Sequence, residues 1–316
     1  MQQGIKPLTL GPVRIDFTTF AWFLFGYNVL VILWGAWVRI TGSGAGCGDH
    51  WPDCNGTIIP RAESVETMIE FAHRVTSALS GVGAIGLVVW AFRGYPRAHP
   101  ARFWAGLHLF FVILEGLVGA LLVKKEWVGQ DQSLGRALFM PIHMANTLML
   151  TGTVALTALR SQVKPATIQP LPWVRYSLIA AVVGVVLMGM TGAVAALGNT
   201  LNPVGSLQEG VERAFNPRYY LDQLKLMHPT LTVVTSVFLV IWARAMGSRL
   251  AAPEVRLAAS GLQFIILMQV IAGIFNYVLH APGWLQLLHL LLACIMWLAV
   301  ILLGYHGWVK REKVNP

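Results

Sequence analysis

Charge is what this sequence has least of. Only 12% of its 316 residues are Asp, Glu, Lys or Arg, 56% are hydrophobic, and the mean hydropathy is +0.62. A water-soluble domain of this size needs more polar surface, so that class is excluded. Acids are scarcer than bases, 14 against 23. No aspartate-rich motif is present that would hold a magnesium diphosphate. Cysteine is scarce too, with three in the chain. Cys294 falls deep in the last apolar stretch and reads as a small packing residue. Cys47 and Cys54 share one polar loop with six residues between them. A structural disulfide, a labile redox pair, free thiols or a metal site all remain open for them.

What fills the chain instead is apolar sequence. Eight stretches, at 17–39, 67–92, 103–123, 137–159, 176–198, 223–246, 257–279 and 284–308, are long enough to cross a bilayer. Together they leave no room for a separate soluble domain. The expected class is an all-α integral membrane protein. The first stretch is too long for a signal-peptide core and has no clear small-residue cleavage site after it, so it reads as a retained helix.

The net charge of +9 belongs to topology rather than to nucleic acid. With the N-terminus placed in the cytoplasm, that side holds 14 of the 23 basic residues: Lys6, Arg14, Arg93, Arg97, Arg102, Arg160, Lys164, Arg175, Arg244, Arg249, Arg256, Lys310, Arg311 and Lys313. Only Asp16, Glu254 and Glu312 oppose them there. This is the positive-inside pattern, with both termini cytoplasmic, and it fits a bacterial inner membrane.

Four histidines, His73, His143, His228 and His289, each lie five or six residues into every second apolar stretch. At 1.5 Å per residue that is roughly 8 Å below the outer helix ends. Ionisable side chains inside a membrane are costly and mark functional sites. The histidines are part of a wider repeat. Gly35 and Gly192, His73 and His228, Glu115 and Gln269, and His143 and His289 are separated by 157, 155, 154 and 146 residues. Each half has four helices, so the halves are parallel repeats. We expect two four-helix bundles, 1–160 and 161–316, joined by a Pro-rich linker from Arg160 to Arg175. Ligand sites in such bundles lie between facing helices.

The repeat pairs His73 with His143 and His228 with His289. Imidazole also suits copper or zinc, but no cysteine or methionine cluster lies at that depth. Two imidazoles facing each other fit the axial positions of haem better. Ser77, Gly81 and Gly83 below His73, and Asn146, Thr147 and Gly152 below His143, are small or polar enough to border a flat macrocycle. They are also ordinary residues for packing membrane helices. The remaining histidines, His50, His99, His108, His280 and His306, sit in loops or near helix ends, and of these His280 could reach a propionate.

The halves differ where chemistry would show. Glu70 stands three residues before His73, where Lys225 precedes His228. Arg39 matches Ala196, and Glu115 matches the neutral Gln269. Glu70 also stands four residues before Arg74, the spacing of an ordinary helical ion pair. The asymmetry points to chemistry in the first half and a held cofactor in the second.

The run Trp34-Gly-Ala-Trp-Val-Arg39-Ile-Thr-Gly-Ser43-Gly44, the loop with Cys47, Trp51-Pro52, Cys54-Asn-Gly56 and Pro60, and Ile69-Glu70-Phe-Ala-His73-Arg74 together resemble haem A synthases. The resemblance covers the whole membrane core. It implies oxidation of the C8 methyl of haem O to a formyl group, through a hydroxymethyl intermediate, for cytochrome oxidase. It implies a substrate-haem site at His73 and His143 with Arg39 and Arg74 nearby, and haem b on His228 and His289. Glu70 corresponds to a functionally important acid, and Cys47 and Cys54 to a disulfide. Partners implied are haem O, the enzyme that makes it, membrane lipid and an electron acceptor, and a homo-oligomer is compatible. Two departures stand out. Residues 199–222 lack the second cysteine pair of many members, and His50 is inserted in the first loop. A two-haem cytochrome that oxidises quinol is the main alternative. It would share the histidines but leaves Glu70, Arg39 and the cysteine loop unexplained. A repeat-built transporter is disfavoured because the special residues lie near the outer surface rather than at mid-membrane. The haem-farnesylating enzyme is disfavoured by the missing aspartate-rich motifs.

Overall fold

A computed structural model describes residues 8–10, 13–61, 64–162, 170–250 and 252–309. Of the charges counted above, Lys6, Lys164, Lys310, Arg311, Glu312 and Lys313 lie outside the described residues, as does part of the linker. Eight helical spans are long and apolar enough to cross a membrane. These are α1 (Phe17–Ile40), α2 (Val65–Gly94), α3 (Pro100–Lys124), α4 (Leu134–Ser161), α5 (Pro172–Leu201), α7 (Tyr220–Lys225) continued by α8 (Met227–Arg249), α9 (Pro253–Val278) and α10 (Gly283–Val309). The chain is a multi-pass membrane protein. The described residues also include a hairpin of β1 (Leu8–Leu10) and β2 (Val13–Ile15), with Leu8 opposite Ile15, a 3-10 turn at Ser43–Ala45, and a short helix α6 (Leu207–Phe215).

Local chemistry sets the helix ends. Asp16 accepts from Thr19 N at 2.7 Å and Ser64 from Thr67 N at 3.1 Å, each satisfying an open amide of the first turn. Pro100, Pro172 and Pro253 open α3, α5 and α9, where a missing N–H costs nothing. Two prolines act inside spans. Pro141 leaves the Ala137 carbonyl of α4 without its helical donor, and Pro229 does the same to Lys225. The second accounts for the break at Leu226, which divides the sixth span into α7 and α8 just before His228.

The chain forms two compact units, Met1–Gly129 with Asn146–Thr167, and Gln130–Ala145 with Ile168–Pro316. The expected halves at 1–160 and 161–316 follow the repeat, whereas packing places 130–145, the first part of α4, with the second unit. In the first unit α1 packs on α2 and α2 on α3. Phe17, Leu24, Leu87, Ala91, Ala101, Ala105, Val154 and Ala158 form one core there. In the second, α5, α8, α9 and α10 close a ring of contacts. The many alanines match a membrane interior, where close van der Waals approach rather than hydrophobic transfer holds helices together. The spans turn residues such as Phe23, Leu30, Val82, Leu117 and Ile241 outward, each more than half exposed, as a lipid-facing surface requires. His108 is wholly buried and its Nδ1 lies 3.1 Å from Leu150 O, which makes it a core residue.

Candidate functional site

In the first unit the loop after α1 folds back on the first turns of α2. Cys47 and Cys54 are disulfide-bonded and both buried. Asn55 and Gly56 take left-handed φ of 51° and 77°, and Cys54 and Thr57 exchange backbone hydrogen bonds of 2.9 and 3.0 Å across them. Asn-Gly is the pair that such a tight turn favours. Gly46 is required by close approach: a Cβ there would meet the Glu66 carbonyl carbon at 2.5 Å. Thr67 Oγ1 donates to Gly46 O at 2.7 Å.

Glu70 is the centre of this contact, with 3% of its surface exposed. Its Oε2 accepts from Cys47 N at 2.8 Å, and its Oε1 from Arg74 Nε and Nη2 at 3.1 and 2.5 Å. The Gly46 amide lies close by but donates to Ser43 O at 3.0 Å. A carboxylate has about four acceptor positions, and Cys47 and Arg74 occupy three of them, on both oxygens. Arg74 in turn donates through Nη1 to His50 O at 2.6 Å and Asp53 O at 2.5 Å. The Glu70–Arg74 pair thus clamps the disulfide loop to α2. The helical ion pair is present, but its work is long-range.

One turn further along α2, His73 is half-buried. Its ring lies on α1 at Gly35, where a Cβ would come within 2.9 Å of His73 Cε1. Arg39 is half-buried in the last turn of α1. His143 belongs to the second unit and His73 to the first. Asn146 and Thr147, expected to border a macrocycle, are instead engaged by Glu115. Asn146 Nδ2 and Thr147 Oγ1 both donate to its carboxylate, and Asn146 Nδ2 reaches Phe111 O at 2.9 Å.

The second unit repeats the histidine-on-glycine contact. A Cβ at Gly192 of α5 would lie 3.1 Å from His228 Cε1, and one at Gly273 of α9 would lie 3.3 Å from His289 Cε1. Thr191 Oγ1 is 3.3 Å from His228 Nδ1, and Gln269 Nε2 is 3.4 Å from His289 Nε2. The two imidazoles are close enough to interact electrostatically. His289 Nδ1 is buried with no hydrogen-bond partner. At the position matching Glu70, Lys225 pairs with the buried Asp222 at 3.4 Å. His280 is exposed in the turn before α10, with φ of 60°.

Among the described residues no three or more His, Cys, Asp or Glu side chains gather as a metal cage. Two neighbouring imidazoles over glycine-lined helix faces form a different donor set. It suits an iron that takes four ligands from its own macrocycle and two from protein.

Sequence reasoning missed the loop clamp: Gly46, Thr67, Asn55, and the Arg74 contacts with His50 and Asp53. Asn55-Gly56 carried a turn signal, whereas the others depend on tertiary approach.

Residues 18–301 match the COX15-CtaA family model, described as "Cytochrome oxidase assembly protein". The chain is 44% identical over 296 residues, 93% of its length, to a Thermus thermophilus protein named "Protoheme IX farnesyltransferase", and covers 49% of that protein. It is 42% identical over 125 residues to "Heme A synthase" of Halalkalibacterium halodurans, covering 39% of this chain and 41% of the relative. With "Heme A synthase" of Lysinibacillus sphaericus it shares 38% over 105 residues, 32% of this chain and 34% of the relative. The chain thus spans half or less of the curated relatives it matches.

Proposed function

The chain belongs to the COX15-CtaA family of cytochrome oxidase assembly proteins, and from that premise we propose that it oxidises the C8 methyl of haem O to a formyl group, giving haem A. It is a multi-pass protein of the bacterial cytoplasmic membrane. The reaction removes four electrons and passes through an alcohol. One observation carries the reading: three residues before the first histidine stands a buried acid clamped to a disulfide loop, and the matching residue of the second half is a lysine.

We assign haem O, the substrate, to His73 and His143. Haem b is assigned to His228 and His289, and when bound it would supply the one-electron redox chemistry that side chains lack. Arg39 is assigned to a propionate of the substrate. Arg74 is already spent on Glu70 and two loop carbonyls, so its part is to position Glu70. Because Cys47 N and Arg74 engage both oxygens of Glu70, its first task is to hold the Cys47–Cys54 loop over the start of α2. One acceptor position is left with which Glu70 can take a proton or order a water at the substrate edge. The sequence halves, 1–160 for substrate and 161–316 for cofactor, are kept as the proposed functional units.

The Thermus relative named for farnesylation is about twice the matched length, while this chain has no aspartate-rich motif. Both facts support a haem-farnesylating partner that hands haem O to this chain.

Glu70→Gln tests the assignment. Haem extracted from the purified variant should be haem b and haem O, with no haem A, and the bis-imidazole spectrum should persist. Normal haem A formation would overturn the role of Glu70. Wild-type protein yielding haem b alone would favour the quinol-oxidising cytochrome.

A further inference from the structure

In the second unit Lys225 lies at the end of α7, three residues before His228, with near-helical backbone between them at Leu226 (φ −67°, ψ −21°). That spacing puts both side chains on one side of the span. Each rests on a glycine of α5. The His228 ring lies at Gly192, and the lysine stem at Gly198, where a Cβ would collide with Lys225 Cε. The two notches are six residues apart, about 9 Å along α5. An ammonium is therefore held a fixed distance from the imidazole, toward the chain segment that follows α5. The side chain is 17% exposed and pairs with Asp222 at 3.4 Å. An ammonium has three donors, and this contact uses one. Asp222 is itself 4% exposed and accepts from Tyr219 N at 3.2 Å.

A haem brings two carboxylates on its edge. Buried beside a membrane helix, each requires a cation or several donors. Resting on the reading that His228 and His289 hold haem b, we propose that Lys225 is the propionate anchor of that site. The stem fits the Gly198 notch, and the ammonium keeps donors beyond the one that Asp222 takes. The inversion from Glu70 to Lys225 between the repeats then has a reason. The first position anchors a loop, and the second anchors the carboxylate of a resident ligand.

The test uses the full-length protein in detergent, expressed under haem limitation in a His73→Ala background that leaves the second histidine pair. Iron protoporphyrin IX and its dimethyl ester, which lacks the propionate charge, are titrated and followed by the bis-imidazole absorption. With Lys225 present, haem should bind about tenfold or more tightly than the ester, as expected for a charge-assisted hydrogen bond. Lys225→Gln should remove most of that preference while the ester binds as before. The Lys225→Met/Asp222→Asn double variant, which leaves no buried carboxylate unpaired, should do the same. An undiminished preference in the double variant would overturn the anchor. Absence of a bis-imidazole spectrum even with Lys225 present would overturn the haem reading beneath it.

Discussion

Glu70 and Arg74 show how a short-range pattern acquires a long-range task. At i,i+4 on an exposed helix such a pair contributes little. Here the side chains are 4% and 12% exposed and both reach into the disulfide loop. Removing one partner leaves a buried charge uncompensated, which costs about 3–5 kcal/mol. We therefore expect Arg74→Met to lower stability by that order and to open the loop. Loss of midpoint in thermal unfolding, together with new protease cleavage between residues 48 and 61, would show it. Glu70→Gln keeps one acceptor for Cys47 N but faces an amide toward Arg74, so it should loosen the loop less than Arg74→Met. Equal loop protection in both variants would contradict the clamp.

Glycines decide what the helices can hold. In α1 and α5 the repeat-related Gly35 and Gly192 each support an imidazole, with 2.9 and 3.1 Å left to a notional Cβ. Valine at either position must push the ring aside. Gly192→Val is expected to abolish the bis-imidazole spectrum of the second pair while leaving the first-site haem extractable, and Gly35→Val to do the reverse. Spectra in both redox states, with chromatography of extracted haem, separate the two. Gly46 is a different case, because a Cβ there meets backbone atoms of Glu66 that cannot yield. Gly46→Ala should detach the loop from α2 and expose the Cys47–Cys54 disulfide to a water-soluble dithiol. Unchanged resistance to that reductant would count against it. The prolines work on the same scale, each removing a helical bond two residues before His143 or one after His228.

Across the whole molecule, the distribution of basic residues predicts a side for each helix end. Arg102 lies over the Phe92 ring at 4.2 Å and Arg249 over Trp173 at 5.4 Å, so these cations sit at helix termini rather than within the spans. If the charge distribution sets topology, reporters fused at both chain ends will be active in the cytoplasm. A reporter inserted in the Cys47–Cys54 loop will be active only outside. A loop found in the cytoplasm would remove the basis for a stable disulfide. Closing that eight-residue ring contributes about 2–3 kcal/mol by chain entropy, so Cys47→Ser/Cys54→Ser should lower thermal stability by roughly that amount.

The number of spans and their membrane character were legible in the sequence, because bilayer thickness acts on composition and segment length alone. At two of the positions that the sequence repeat pairs, His73 lies on Gly35 and His228 on Gly192. The sequence could not tell where side-chain hydrogen bonds end. Asn146 and Thr147 looked like pocket residues and are bonded to Glu115, and Glu70 looked available and is engaged at both oxygens by Cys47 and Arg74. Nor could it show that α4 divides between two compact units, with 61% of its most apolar stretch buried against 22–39% in the other spans. Those outcomes depend on which helices come into van der Waals contact, and periodicity along one chain carries no record of that.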